Sequence, residues 1–398
     1  MDSTAGSRWR AAGSWALLGA LGLFALRPAC DLGPPDAEPF DSAGMLRSLG
    51  ETVILPTLQD ARAEALLLQV AANDWATAPD DVDALANVRG RWTSAMLSWQ
   101  RAELMQVGPA GASVDTLGGQ DLRDEVYSWP TLNPCRVDQE LVAANHAGAD
   151  WAQGNLVNVY GLDALEYLLW HPGDNDCPPQ VDINADGTWD ALGDAGVLAA
   201  RADYARSLAD LLIDQVDAII TAWDPEQGDF VGQLAGDPGS VYGTEVEALN
   251  AVFDALFYLE LKTKDKKLGV PAGLCDECAD TPDPEAVESP WARVSVEEIA
   301  ANLDGFEELF SGGDGLGFDD LLASIEQEDL ADAILGATAN AQAAAAAFEG
   351  PLVDRVTDDL DAVLALHAAV KAVTDLLKGD LATILVLQLP AEAGSDND

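Results

Sequence analysis

The stretch DVDALANVRGRWTSAMLSWQRAELMQVGP, residues 81–109, is the one on which the fold turns. Its large apolar residues Trp92, Met96 and Trp99 recur three and four positions apart, which at 100° per residue places them on one side of a helix. Gly108 and Pro109 stop that helix. The same spacing continues outward in both directions. It runs through residues 45–75, where Pro56 marks a kink or a restart, and through 192–223, which ends near Asp224-Pro225. Beyond a Gly-rich break it returns at 244–269, 295–312, 330–350 and 351–385. Ser295 followed by Glu298 reads as a capping box that fixes where the 295–312 helix begins. No set of alternating β-runs is present. Long helices with short connections predict an all-α protein of two helical-bundle domains packed side by side, residues 44–225 and 240–398. The Gly- and Asp-rich section 226–242 is one candidate divide, and the Pro- and acid-rich section 274–290 another.

The chain has 398 residues, 48% of them hydrophobic, enough for a sizeable core. Against 20 basic residues stand 69 acidic ones, a net charge of −49. That field repels nucleic acid and anionic headgroups and attracts cations. Lys262, Lys264, Lys266 and Lys267 crowd one short run. At the N-terminus, Arg8 and Arg10 precede an apolar run from Ala11 to Leu26, too short for a membrane span and typical of a signal peptide. Residues 1–29 are therefore expected to be removed. Leu26 and Ala29 before Cys30 look like a lipoprotein cleavage site, so Cys30 is expected to be lipidated, with ordinary secretion as the alternative, and residues 30–43 to serve as a Pro-rich acidic linker. The protein is expected outside the cytoplasm, on the periplasmic or outer-surface side of the envelope, touching membrane only through the lipid. In such an oxidising place the remaining cysteines read as two disulfides, Cys135–Cys177 and Cys275–Cys278. A redox-active CDEC at 275–278 is opposed by its acidic neighbours, and zinc binding by all four cysteines would rest on a single CxxC.

Residues 161–170, GLDALEYLLW, set a chemical question. Leu162, Leu165, Leu168 and Leu169 cover one side of a helix, while Asp163 and Glu166 share the other, flanked by Tyr167 and Trp170. Two acids one turn apart repel when both are ionised, and burial beside rings worsens it. A cation or an arginine would relieve that repulsion. On spacing alone, an exposed acidic face in a very acidic protein is the simpler account.

GLDALEYLLW resembles the signature of the imelysin family, a Gly-x-His-x-x-Glu motif followed by an aromatic, two leucines and often Trp. Gly161, Glu166, Tyr167, Leu168, Leu169 and Trp170 fit, and Asp163 stands where the family carries His. The resemblance extends through VILPTL around Pro56, RWTSAMLSWQRAELMQVGP, YSWP, RADYARSLADLL, KKLGVPAG and VESPWARVSVEEIAANLDGFEELFSG, in order. It implies a two-domain all-α architecture with a site between the domains, centred on the motif helix. Members of that family were first described as metallopeptidases. Others resemble, or are fused within, periplasmic components of iron-uptake systems, where the motif is thought to engage metal.

The residues themselves favour metal binding over hydrolysis. A zinc peptidase needs imidazole ligands and a general base, and this chain has only His146, His171 and His367, with no HExxH. An Asp/Glu pair suits hard cations such as iron(III), Ca²⁺ or Mn²⁺. Asp163 and Glu166 are thus expected to hold a metal cation, iron among the candidates, in the service of iron acquisition beside a permease or peroxidase. Glu103 continues the Trp92-Met96-Trp99 line and is either a third ligand or a buried ion pair, with Arg91 or Arg293 as partner. His171 could add a nitrogen if its turn folds back, or simply end the helix before Pro172. A metallopeptidase and an envelope scaffold that binds a peptide or protein are the alternative functions. Finally, DINADGTWD places Asp182, Asn184, Asp186, Thr188 and Asp190 at EF-hand-like positions, so the 182–194 loop is expected to take Ca²⁺, against the alternative of a polar turn rich in Asx caps.

Overall fold

The computed structural model describes residues 39–148, 150–274, 281–390 and 393. The expected signal peptide and Cys30 lipid site, most of the expected linker and the expected Cys275–Cys278 pair lie outside the described residues. Among the described residues every regular element is helical and none is a strand, as the spacing predicts.

The working elements, in chain order, are α1 (Leu55–Thr77), α2 (Val82–Glu103), α3 (Pro134–Ala143), α4 (Leu162–Trp170), α5 (Thr188–Trp223) and α6 (Glu245–Leu256). A π-helical segment, Leu259–Gly269, follows, and then α7 (Ser295–Ser311), α8 (Glu328–Ala346) and α9 (Leu360–Leu376). Pro56 does not stop the helix: six π-helical residues, Leu49–Ile54, run directly into α1, whose first turn holds the proline. α5 is interrupted at Gly193, whose φ of +61° suits a residue without Cβ.

From Phe40 onward the chain is one compact unit. α1 packs on α2 and α5, and α8 on α9. α7 joins the two sets, lying against α2, α8 and the π-helical segment. Trp75, Trp92, Trp99 and Trp223 are fully buried in the first set, and Phe306 in α7. The α2–α7 crossing depends on Gly305, where a Cβ would sit 2.5 Å from the carbonyl oxygen of Arg101. Gly305→Val should therefore push the helices apart and cost about 1–3 kcal/mol of unfolding free energy, an overpacking penalty read by urea titration. A loss below about 0.5 kcal/mol would mean the crossing is looser than this contact.

Candidate cation site in the cleft

α4 is held at both ends. Gly161 precedes it at φ +90°, and a Cβ there would meet the carbonyl oxygen of Val126 at 2.8 Å, so the motif glycine is required sterically. The Trp92 indole donates to the Leu162 carbonyl at 2.8 Å, and the Tyr204 hydroxyl to that of Val159 at 2.6 Å. At the other end the Arg89 guanidinium donates to the Leu169 carbonyl at 2.9 and 2.6 Å and lies over the Trp170 ring. A cation at a helix C-terminus is favourably placed, because the last carbonyls point at it.

So anchored, α4 buries both acids. Asp163 and Glu166 are each only 3% exposed, and both line a cleft of about 310 Å³ with Tyr127, Trp129, Lys266 and Trp291. The partners of Asp163 are the Ser128 hydroxyl, 2.7 Å from Oδ2, and the Ala164 N–H, 2.9 Å from Oδ1. Glu166 Oε1 accepts the N–H groups of Trp291 and Ala292 at 3.0 and 2.7 Å, while Oε2 takes no hydrogen bond from the described residues. All these donors are neutral, and neither acid has a Lys or Arg within ion-pair distance among the described residues. Burial raises the Asp163 carboxyl to about 6 against the hydrogen bonds it accepts and the charge of Arg123, which is beyond ion-pair distance. Glu166 rises to about 8, from burial first and then from the negative charges of Asp163 and Glu288.

Behind the cleft lies a second, better balanced set of buried polar groups. Lys267 is fully buried; its Nζ donates to Gln100 Oε1 at 2.5 Å and Asn302 Oδ1 at 2.9 Å, and is 3.0 Å from Glu288 Oε2. Tyr127 donates to Glu288 Oε1 at 2.9 Å, and Asn302 Nδ2 to the Gln100 carbonyl at 2.8 Å. Residues of α2, the π-helical segment, α7 and the loop before α7 are thereby tied together, and that same loop delivers its two N–H groups to Glu166.

Several expectations change here. Glu103 does not line the cleft. It is in an ion pair, with Arg123 and, at 3.8 Å, Lys267, rather than with Arg91 or Arg293. Burial pushes its carboxyl up, but those two cations win and hold it below the usual range. Arg293 is on the surface with Asp354 instead. Ser295 and Glu298 form no capping box. Val294 is the N-cap, the Ser295 hydroxyl donates to the Glu288 carbonyl, and Glu298 Oε1 accepts from the Ser289 hydroxyl at 2.5 Å. The cap is forgone because both side chains satisfy buried groups. His171 does end α4; its ring stacks on Tyr167 at 4.5 Å and meets Trp291 edge-on at 6.0 Å, and it does not itself line the cleft. Around the expected calcium loop, Asp182–Ala185 is a helical turn and Thr188 opens α5. Asn184 there acts as a staple, donating to the Cys177 carbonyl at 2.8 Å and exchanging hydrogen bonds with Asn175. Among the described residues no three His, Cys, Asp or Glu side chains converge, at this loop or in the cleft. The Cys135–Cys177 disulfide is formed, bridging 42 residues of sequence and fixing α3 to the segment after α4.

Sequence reasoning did not single out Ser128, or the backbone of Trp291 and Ala292, as partners of the acids. Their only signal was that YSWP and VESPWARVSVEE are landmarks of the family pattern, which carries no statement of what touches what.

The family model described as Imelysin matches residues 54–379. Among solved structures, the chain is similar to a protein from Parabacteroides distasonis described as an iron-regulated protein A precursor, at 15% identity and a TM-score of 0.66, covering 86% of this chain and 95% of that one. It is similar also to an imelysin-like protein from Psychrobacter arcticus, at 18% identity and a TM-score of 0.64, covering 88% and 97%. No curated protein matches the sequence. Among the described residues no helix is long and apolar enough to cross a membrane.

Proposed function

The chain belongs to the imelysin family, and on that premise we propose that it is an exported protein holding a hard metal cation between Asp163 and Glu166, in the service of iron acquisition. One observation carries the reading: two buried carboxylates face a cleft with only neutral donors around them. Burying a carboxylate without a counter-charge is costly, and the raised carboxyls express that cost. A cation between the acids would remove it. Carboxylate oxygens are hard ligands, which suits Fe³⁺, Mn²⁺ or Ca²⁺ above catalytic zinc. Two acids leave further coordination positions to water or to groups brought by the ligand. The relative described as an iron-regulated protein precursor supports both export and the link to iron. In this reading the protein is tethered through Cys30 and works beside an iron permease or peroxidase. The peptidase reading gains nothing from the geometry, since none of His146, His171 and His367 lines the cleft.

Calorimetry of the purified protein at pH 7.5 with Mn²⁺, Ca²⁺ and Zn²⁺ tests this. One site preferring the hard cations is expected, weakened by more than about 100-fold in the Asp163→Asn/Glu166→Gln double variant, since loss of even a group that supports a metal ligand costs about 10–100-fold. Equal binding by the variant would remove the site from the account.

A further inference from the structure

Resting on that reading, we infer that the cleft takes its cation already complexed by a small organic chelator, and that Lys266 receives an anionic oxygen of that chelator. Size is the first reason. The cleft holds about 310 Å³, room for roughly ten water molecules at about 30 Å³ each, whereas a bare ion needs the space of about one. A volume of that order is what small-molecule sites enclose.

The donor count is the second reason. Asp163 and Glu166 are the acids at the inner end, and no third His, Cys, Asp or Glu joins them among the described residues. A six-coordinate cation keeps about four positions for oxygens the chain does not supply. The hydroxyls of Tyr127 and Ser289, which also line the cleft, already donate to Glu288 and Glu298, and much of the remaining wall is apolar, built from Trp129, Leu132, Pro134, Pro290 and Trp291. Apolar walls match the carbon skeleton of a chelator and are poor company for a shell of water.

Charge is the third. A complex with a negative rim is repelled by a chain of net charge −49, so a cationic contact must stand where the complex arrives. Lys266 lines the cleft, is exposed, and has no ion-pair partner among the described residues, although Glu285 lines the same cleft. Its neighbours Lys264 and Lys267, by contrast, are fully buried in ion pairs.

The test is titration of the full-length protein with Mn²⁺ alone and with Mn²⁺ in the presence of nitrilotriacetate, a tetradentate chelator that leaves two of six positions open. Chelated Mn²⁺ should bind at least about tenfold more tightly than the aquo ion, a gain on the order of one charged contact plus apolar burial. Lys266→Glu should bring that ratio to one or below. An unmodified ratio in Lys266→Glu, or aquo Mn²⁺ binding as tightly as the chelate, overturns the inference while leaving the carboxylate site standing. Glu166→Gln binding both forms like the wild type overturns the carboxylate site itself, and the inference with it.

Discussion

Replacing Lys267 by Met should lower the unfolding free energy by about 3–5 kcal/mol, the cost of stranding a buried charge when its partner is deleted. The side chain is fully buried and meets Glu288 at 3.0 Å, Gln100 at 2.5 Å and Asn302 at 2.9 Å. Met fills a similar volume, so the loss is electrostatic rather than a cavity effect. Glu288 would keep hydrogen bonds from Tyr127 and Gln100 but no ammonium. The double variant Lys267→Met/Glu288→Gln should recover part of the loss, because deleting both charges of a buried pair costs far less than deleting one, while Glu103 loses its contact with Lys267 and keeps Arg123. Urea denaturation of the four members of the cycle measures it. A single-variant loss under about 1 kcal/mol would show that water reaches Glu288 and relieves it.

The second large effect is a stabilising one. Glu166 is held at about 8 in the folded protein against 4.5 as the ordinary value. A carboxyl raised on folding contributes stability that is fully present below about 4.5 and is lost as pH rises through about 8. The loss is on the order of 4–5 kcal/mol across that window. Asp163, raised from 3.8 to about 6, acts in the same direction at lower pH. In Glu166→Gln the amide oxygen can still accept the two backbone N–H groups, and nothing titrates. Metal-free Glu166→Gln should therefore match the wild type near pH 5 and exceed it by several kcal/mol near pH 9. General repulsion in so acidic a chain acts on both proteins and cancels in the difference. Parallel stability curves from pH 5 to 9 would mean that Glu166 is solvated or already paired.

The helices could be read in advance because each is a repeating local pattern. Trp92, Met96 and Trp99 announce a buried face without reference to anything distant, and all three are buried. The motif helix was legible in the same way, as was the Cys135–Cys177 bridge once export was inferred. The partners of the acids were not legible. Glu166 meets N–H groups 125 and 126 residues away, and Glu103 chooses Arg123 and Lys267 over nearer or more obvious cations. Such choices are settled by how α7 crosses α2, which no local spacing encodes. Ser295 and Glu298 show the same limit from the other side: a valid local signal was overridden because the buried loop before α7 needed both side chains. The lysine run carries no local signal of where its members go: the π-helical segment turns Lys264 and Lys267 inward and leaves Lys266 at the cleft.

Proton release is the most direct measure of whether a cation sits against Glu166. At pH 7 a carboxyl held near 8 is mostly protonated, and a ligand oxygen must give up its proton to a metal. Calorimetric titration with Mn²⁺ in buffers of differing ionisation enthalpy counts those protons. About one proton released per ion is expected for the wild type, and a far weaker interaction with no release for Glu166→Gln. Tight binding with no proton released, the same in both proteins, would place the cation elsewhere and contradict the account.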